Sequence, residues 1–175
     1  MTGNARLIAR IALFSALIYV LSWGTAAIPN VNPAFFIIFS AGYLWGLVPG
    51  FLVGAVGMGL WTSFNPFGPA PIPIAAAQVF GGGICGVVGF FFKSFLSPNK
   101  MIWHSYFFLI SAGVICTLVF FVPVSLIDAW LFQPFRERFI ASMIFSIYPL
   151  AANIIIFPLL FRLLRPFYVK EYERS

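Results

Sequence analysis

Catalysis and ion coupling both need ionisable side chains held close together, and this chain has few of them. Of its four carboxylates, Glu171 and Glu173 lie in the C-terminal tail, Glu137 in a charged loop and Asp128 near the end of an apolar run. The one histidine, His104, stands beside Trp103 at the start of an apolar stretch. A lone imidazole there is an interfacial anchor more readily than a base or a metal ligand. No HExxH, nucleophile elbow or acidic metal cluster occurs. Cys85 and Cys116 sit singly in apolar runs without metal-type spacing and read as small core residues. "GGGICG" at 81–86 lacks the GxxxxGK[ST] spacing of a phosphate loop. The expectation is no catalytic centre, no metal and no cofactor, and the scarcity of acids and histidines within apolar runs argues against an ion-coupled carrier.

What the chain does offer is amides and aromatics. The stretch "NPFGPAPIPIAAAQ" at 65–78 sets four prolines and a glycine between Asn65 and Gln78. Prolines preset the backbone and lower the ordering cost of closing on a ligand. Asn30 and Asn32 lie in the first loop, and Asp128, Gln133, Arg136, Glu137 and Arg138 in a later one. Trp61, Phe67, Trp130 and Tyr148 fall at similar depth, and Asn153 is a further amide within the last apolar run. Aromatics with a few placed amides and charges suit a small-molecule pocket. Each residue taken alone fits a solvated loop or an interfacial aromatic belt equally well. The proline-rich loop as a unit favours a pocket wall, with Gln78 one turn into the next helix and its amide turned inward.

The elements that would hold these groups are membrane spans. The chain is 62% hydrophobic and only 8% charged, against about a quarter charged in ordinary soluble domains. Bilayer spans need roughly 20 apolar residues. The pattern predicts an all-α integral membrane protein, a compact single domain of six short transmembrane helices near 6–23, 34–47, 48–64, 74–92, 103–130 and 139–164. Pro49-Gly50 is expected to divide the second from the third. With both termini cytoplasmic, Arg6, Arg10, Lys93, Lys100, Arg162, Arg165, Lys170 and Arg174 fall inside, and only Arg136 and Arg138 outside. This arrangement obeys the positive-inside rule. It explains the net charge of +6 as topology, not nucleic-acid binding. A re-entrant hairpin over 34–64 would satisfy the charges equally well, but lipid-exposed irregular backbone is costly. Residues 1–27 also have the outline of a signal peptide; an uncleaved first span accounts better for the basic inner side.

Small residues mark where helices meet. Gly42, Gly46, Gly50 and Gly54 recur every four residues, as do Gly82 and Gly86, and this spacing lets helices approach closely. Tight packing among spans two, three and four follows. Ala5, Ala9, Ala12 and Ala16 form a comparable strip on span one. On residues alone, that strip serves internal packing or a partner membrane protein, and internal packing is the simpler reading.

The N-terminal helix with "ALFSA", the pair "SAGYLWGLVPGFLVGAVG", and the proline-rich loop leading into "AAAQVFGGGICGVVG" together resemble the substrate-binding S component of energy-coupling factor (ECF) transporters. The resemblance covers nearly the whole chain and is strongest from Ala5 to Gly89. It implies a subunit of a prokaryotic cell membrane that captures a vitamin or precursor through its outer loops. The partners it implies are a transmembrane coupling subunit and two ATP-hydrolysing subunits. It also maps a docking motif onto Ala12 and Ala16, reversing the internal-packing reading for those two. The nickel and cobalt members carry histidines near the N-terminus, and none stands there in this chain, so a metal substrate is not expected. The candidate ligand residues are Asn30, Asn32, Asn65, Phe67, Gln78, Asp128, Arg136, Tyr148 and Asn153, and surrounding membrane lipid is a further partner. A membrane scaffold that binds only partner helices is the alternative, and a lipid-modifying enzyme ranks behind it for want of grouped acids and bases.

Overall fold

The computed structural model describes residues 3–27, 32–98 and 101–172. The regular structure among them is entirely helical. The elements are α1 (Gly3–Thr25), α2 (Ala34–Trp45), α3 (Leu47–Phe64), α4 (Ile72–Phe92), α5 (Trp103–Leu131), α6 (Phe135–Phe145), α7 (Ile147–Phe161), a 3-10 turn (Arg162–Leu164) and α8 (Arg165–Tyr172). Among the described residues, five helical segments are long and apolar enough to cross a bilayer: 4–25, Leu47–Phe64, Ile72–Phe92, Trp103–Leu131 and the jointed rod Phe135–Glu171. The sixth apolar helix, α2, has 12 residues and is about 18 Å long.

Nearly every residue of α2 is buried, from Ala34 to Leu44. A helix apolar all round belongs at the centre of a bundle, and α2 touches α1, α3, α4, α5 and α7. Its phenylalanines fill that centre. Phe35 packs edge-on against Phe120, Phe36 against Phe157, and Phe39 against Phe92. The chain leaves α2 at Gly46, whose φ of 102° is open to glycine at little cost. The division between the second and third helices therefore falls at Gly46. Pro49 and Gly50 lie within the first turn of α3, where a missing backbone N–H leaves no helical bond unmade.

The glycine spacing acts at the contacts of α4 with α2 and α3. A methyl group at Gly42 would run into the Gly86 carbonyl, one at Gly54 into the Gly82 carbonyl, and one at Gly86 into the Gly50 carbonyl. At Gly89 it would meet the Phe39 carbonyl. Three backbones thus lie at a separation that only hydrogen side chains permit, as the spacing predicts. Cys85 and Cys116 fasten the next contact: the Cys85 thiol donates to the Cys116 carbonyl at 3.3 Å and the Cys116 thiol to the Cys85 carbonyl at 3.8 Å. Both are free and buried.

The last rod is a departure from one helix over 139–164. It is jointed at Ser146 and again at Arg162–Leu164. Pro149 and Pro166 each remove the N–H that would bond the carbonyl four residues earlier, which loosens the ladder near those joints. No residue of α6 is buried, so this segment stands off from the core and leans on α5.

One end of the bundle is basic. There Arg10 makes a two-pronged ion pair with Glu171, at 2.9 and 2.6 Å, with its guanidinium 5.1 Å from the centre of the Trp45 ring. Tyr43 at the end of α2 donates to the Leu96 carbonyl at 2.8 Å, and Arg162 donates to the Tyr106 hydroxyl at 3.0 Å.

Candidate functional site

At the opposite end lie the C-termini of α1, α3 and α5 and the N-termini of α2, α4 and α6. The first joint is made by Asn32. Its amide donates to the Ser22 hydroxyl at 2.7 Å while its side-chain oxygen accepts from the Ala34 N–H at 2.9 Å. Short polar side chains take this role at helix starts because the first N–H groups have no partner within the helix. Asn30 lies outside the described residues.

Asn65 organises the loop between α3 and α4. Its oxygen accepts from the Phe67 N–H at 2.9 Å and its amide donates to the Gly68 carbonyl at 2.9 Å. Gly68 takes φ 93°, the left-handed region that favours glycine. Pro66, Pro69 and Pro71 stiffen the remainder, and the Ala70 N–H ties the loop back to the Thr62 carbonyl at 3.0 Å. Tyr19 and Trp23 of α1 both donate to the Phe64 carbonyl, at 3.1 and 3.2 Å. The loop is therefore fixed from three sides, and Phe67 at its tip is 78% exposed. Both polar atoms of the Asn65 side chain bond within the loop and shape it.

Among the described residues, three buried side-chain oxygen atoms have no hydrogen-bond partner: Thr62 Oγ1, Gln78 Oε1 and Asn153 Oδ1. Gly54 faces Gly82 and Gly50 faces Gly86. That antiparallel register sets Gln78 level with Met58, one turn inward of Thr62. Asn153 is deeper. Its amide donates to the Thr117 hydroxyl at 2.9 Å, beside Cys116, which faces Cys85. Gln78 precedes Cys85 by seven residues along α4, so Asn153 lies about 10 Å farther in. A buried acceptor left unpaired costs about 1–3 kcal/mol. A ligand that supplies the donor is one reason to retain such an atom. Three acceptors at successive depths would suit a neutral ligand that brings N–H and O–H groups.

The charged candidates behave differently. Arg138 grips Asp128 with two donors, at 3.1 and 3.3 Å, and its guanidinium lies 5.0 Å from the centre of the Phe132 ring. Asp128 is thus neutralised at the α5–α6 junction. Arg136 is exposed on α6, and Tyr148 at the start of α7 is 59% exposed. The structure brings Asn32, Asn65, Phe67 and Gln78 to the joints between α1 and α4, and Asp128, Arg136 and Tyr148 to the α5–α7 side. Sequence reasoning passed over Thr62, whose signal is a hydroxyl three residues before Asn65 at the close of an apolar helix. It also passed over Thr117 and Ser22, the partners of Asn153 and Asn32.

The α1 surface divides cleanly. Ser15 donates to the Val53 carbonyl at 3.3 Å, Ile18 lies against Gly57, and Ser22 receives Asn32. Ala9, Ala12 and Ala16 lie on the exposed side with Ile8, Leu13 and Val20.

Among known proteins, a family model described as ECF-type riboflavin transporter, S component, matches residues 3–166. No curated protein matches, and no solved structure matches.

Proposed function

The chain belongs to the family of ECF-type riboflavin transporter S components, a family of transporter subunits and not of enzymes, and from that premise we propose that it captures riboflavin or a close flavin relative. Capture takes place at the outer face of a prokaryotic cell membrane. The bundle holds six short spans, α2 included, with both termini cytoplasmic. The basic end carrying Arg10, Arg162, Arg165 and Lys170 then faces inward, in accord with the positive-inside rule. The outer face is the one bearing the 65–71 loop.

The observation that carries the substrate assignment is the family match over residues 3–166, and the unpaired Gln78 Oε1 is the group of this chain proposed to meet the ligand. Riboflavin is uncharged, with an imide edge that offers N–H beside two carbonyls and a side chain of hydroxyls. A primary amide matches an imide edge with one donor and one acceptor, a pairing that strengthens as water is excluded. Thr62 Oγ1 and Asn153 Oδ1, at other depths, suit the hydroxyls. Phe67 and Tyr148 supply aromatic faces for a flat ring. Asn32 and Asn65 hold the walls, and the mutual pairing of Asp128 with Arg138 leaves a neutral ligand no charge to oppose. Arg136 is the cation nearest in sequence that a phosphorylated flavin would meet.

Docking on the transmembrane coupling subunit runs through Ala12 and Ala16. A strip of methyl groups on an uncovered helix face admits a partner helix to close range. ATP hydrolysis belongs to the two ATPase subunits of the assembly. The direct test is to purify the chain alone in detergent and identify any small molecule that accompanies it by mass spectrometry. A stoichiometric flavin supports the reading. A different vitamin overturns the substrate assignment, and a protein that stays empty when riboflavin is added favours the scaffold.

A further inference from the structure

At the basic end, a cavity of about 470 Å³ opens along α8, lined by Arg165, Pro166, Val169 and Lys170. The two cations project from opposite ends of an apolar floor made by proline and valine. Among the described residues neither has an ion-pair partner: Glu171, the carboxylate next to Lys170, is taken by Arg10 at 2.6 Å, and the other ion pair lies far away between Arg138 and Asp128. The Arg10–Glu171 pair therefore holds α8 against α1 and at the same time leaves the cavity with uncompensated positive charge.

The depth of the cavity is set by its neighbours. Arg162 donates to the Tyr106 hydroxyl, and Trp103 lies edge-on to Tyr106 with ring centres 6.2 Å apart. Tyrosine, tryptophan and arginine together mark a headgroup level. On the membrane side of that level, Leu159, Leu163 and Phe167 recur every four residues and are all exposed, which forms an apolar track leading away from the cavity.

We propose that this cavity binds the headgroup of an anionic phospholipid. The phosphodiester lies between Arg165 and Lys170, and an acyl chain runs along Phe167, Leu163 and Leu159. Charge complementarity and the adjoining apolar track select a lipid over free phosphate, which would use the cations and leave the track bare. The site is at the opposite end from the flavin-binding candidates and is independent of that assignment.

The test is native mass spectrometry of the full chain, released from micelles doped with phosphatidylglycerol or with phosphatidylcholine. One phosphatidylglycerol is expected to stay bound per chain, and phosphatidylcholine is expected to be lost. Each basic residue near an anionic lipid contributes on the order of fivefold in affinity, so R165Q/K170Q should bind roughly 30-fold more weakly. Val169→Trp keeps both charges but fills the floor, and should lose the lipid as well. Equal retention of the two lipids, undiminished binding by either variant, or displacement by millimolar inorganic phosphate would each overturn the proposal. Arg136→Gln, at the other end of the bundle, should leave lipid retention unchanged, and its loss in that variant would equally overturn it.

Discussion

Where α4 meets α2 and α3, a single methyl group at Gly86 would overlap the Gly50 carbonyl, whereas the whole of α6 buries no side chain at all. The first region is three backbones in contact, with Phe39, Tyr43 and Phe157 filling the remaining space. The second is a helix propped on α5 beside exposed Trp130 and Tyr148. Without a hydrophobic drive between helices in lipid, close van der Waals contact is what holds spans together. The glycine contacts provide that frame. The unpaired oxygens of Thr62, Gln78 and Asn153 are affordable only because the frame is rigid enough to keep them in place. The contrast is between helices in backbone contact and a helix that buries none of its side chains.

The sharpest way to break this contrast is at Gly86. Gly86→Leu is expected to cost more than about 4 kcal/mol, since backbone and not a flexible side chain blocks the space. Little folded protein should survive size-exclusion chromatography in detergent. A variant with the wild-type elution profile and melting temperature would show that α4 is not seated as described. Second comes the outer face of α1. Replacing Ala12 and Ala16 together with Leu should abolish uptake in cells that express the coupling and ATPase subunits, while flavin binding by the isolated chain stays intact. Uptake at the wild-type rate would remove these residues from docking.

Smaller effects are expected at the open end. Gln78→Leu should weaken flavin binding by about 1–3 kcal/mol, the value of a buried hydrogen bond and its desolvated partner. An unchanged dissociation constant in a fluorescence titration would return Gln78 to a structural role. Least of all should come from Asp128→Asn. The pair with Arg138 is partly exposed, at 22% and 42% for the two side chains, and such pairs contribute about 0–1 kcal/mol. A loss of binding greater than tenfold would instead make Asp128 a ligand contact.

The helical membrane class was legible because composition and apolar run length state it directly. The glycine contacts were legible too, because Gly50 and Gly54 on α3 and Gly82 and Gly86 on α4 each keep the four-residue spacing of one helix face. The joint at Gly46 was not. Pro49 is the stronger breaker by type, but a proline in the first turn of a helix disrupts nothing. The break at Ser146 was obscured because Pro149 acts on the carbonyl of Phe145, four residues back, and leaves no mark at its own position. Within the candidate site, Gln78 and Asn153 stood out as amides in apolar runs. Thr62 did not, because a threonine in a helix commonly satisfies itself on its own backbone, as Thr117 does on the Gly113 carbonyl at 2.8 Å. Likewise the two short bonds of Asn65 within the loop were not foreseen, since an asparagine that builds a turn and one that binds a ligand are the same letter.

The most direct test of the central claim is a titration of the purified chain with riboflavin, followed by the quenching of flavin fluorescence, with thiamine and biotin as non-flavin controls. Saturable one-to-one binding of riboflavin, undisturbed by the two other vitamins and weakened in Gln78→Leu, is the predicted result. A folded protein that shows no saturable flavin binding, or that binds thiamine or biotin in its place, would contradict the account.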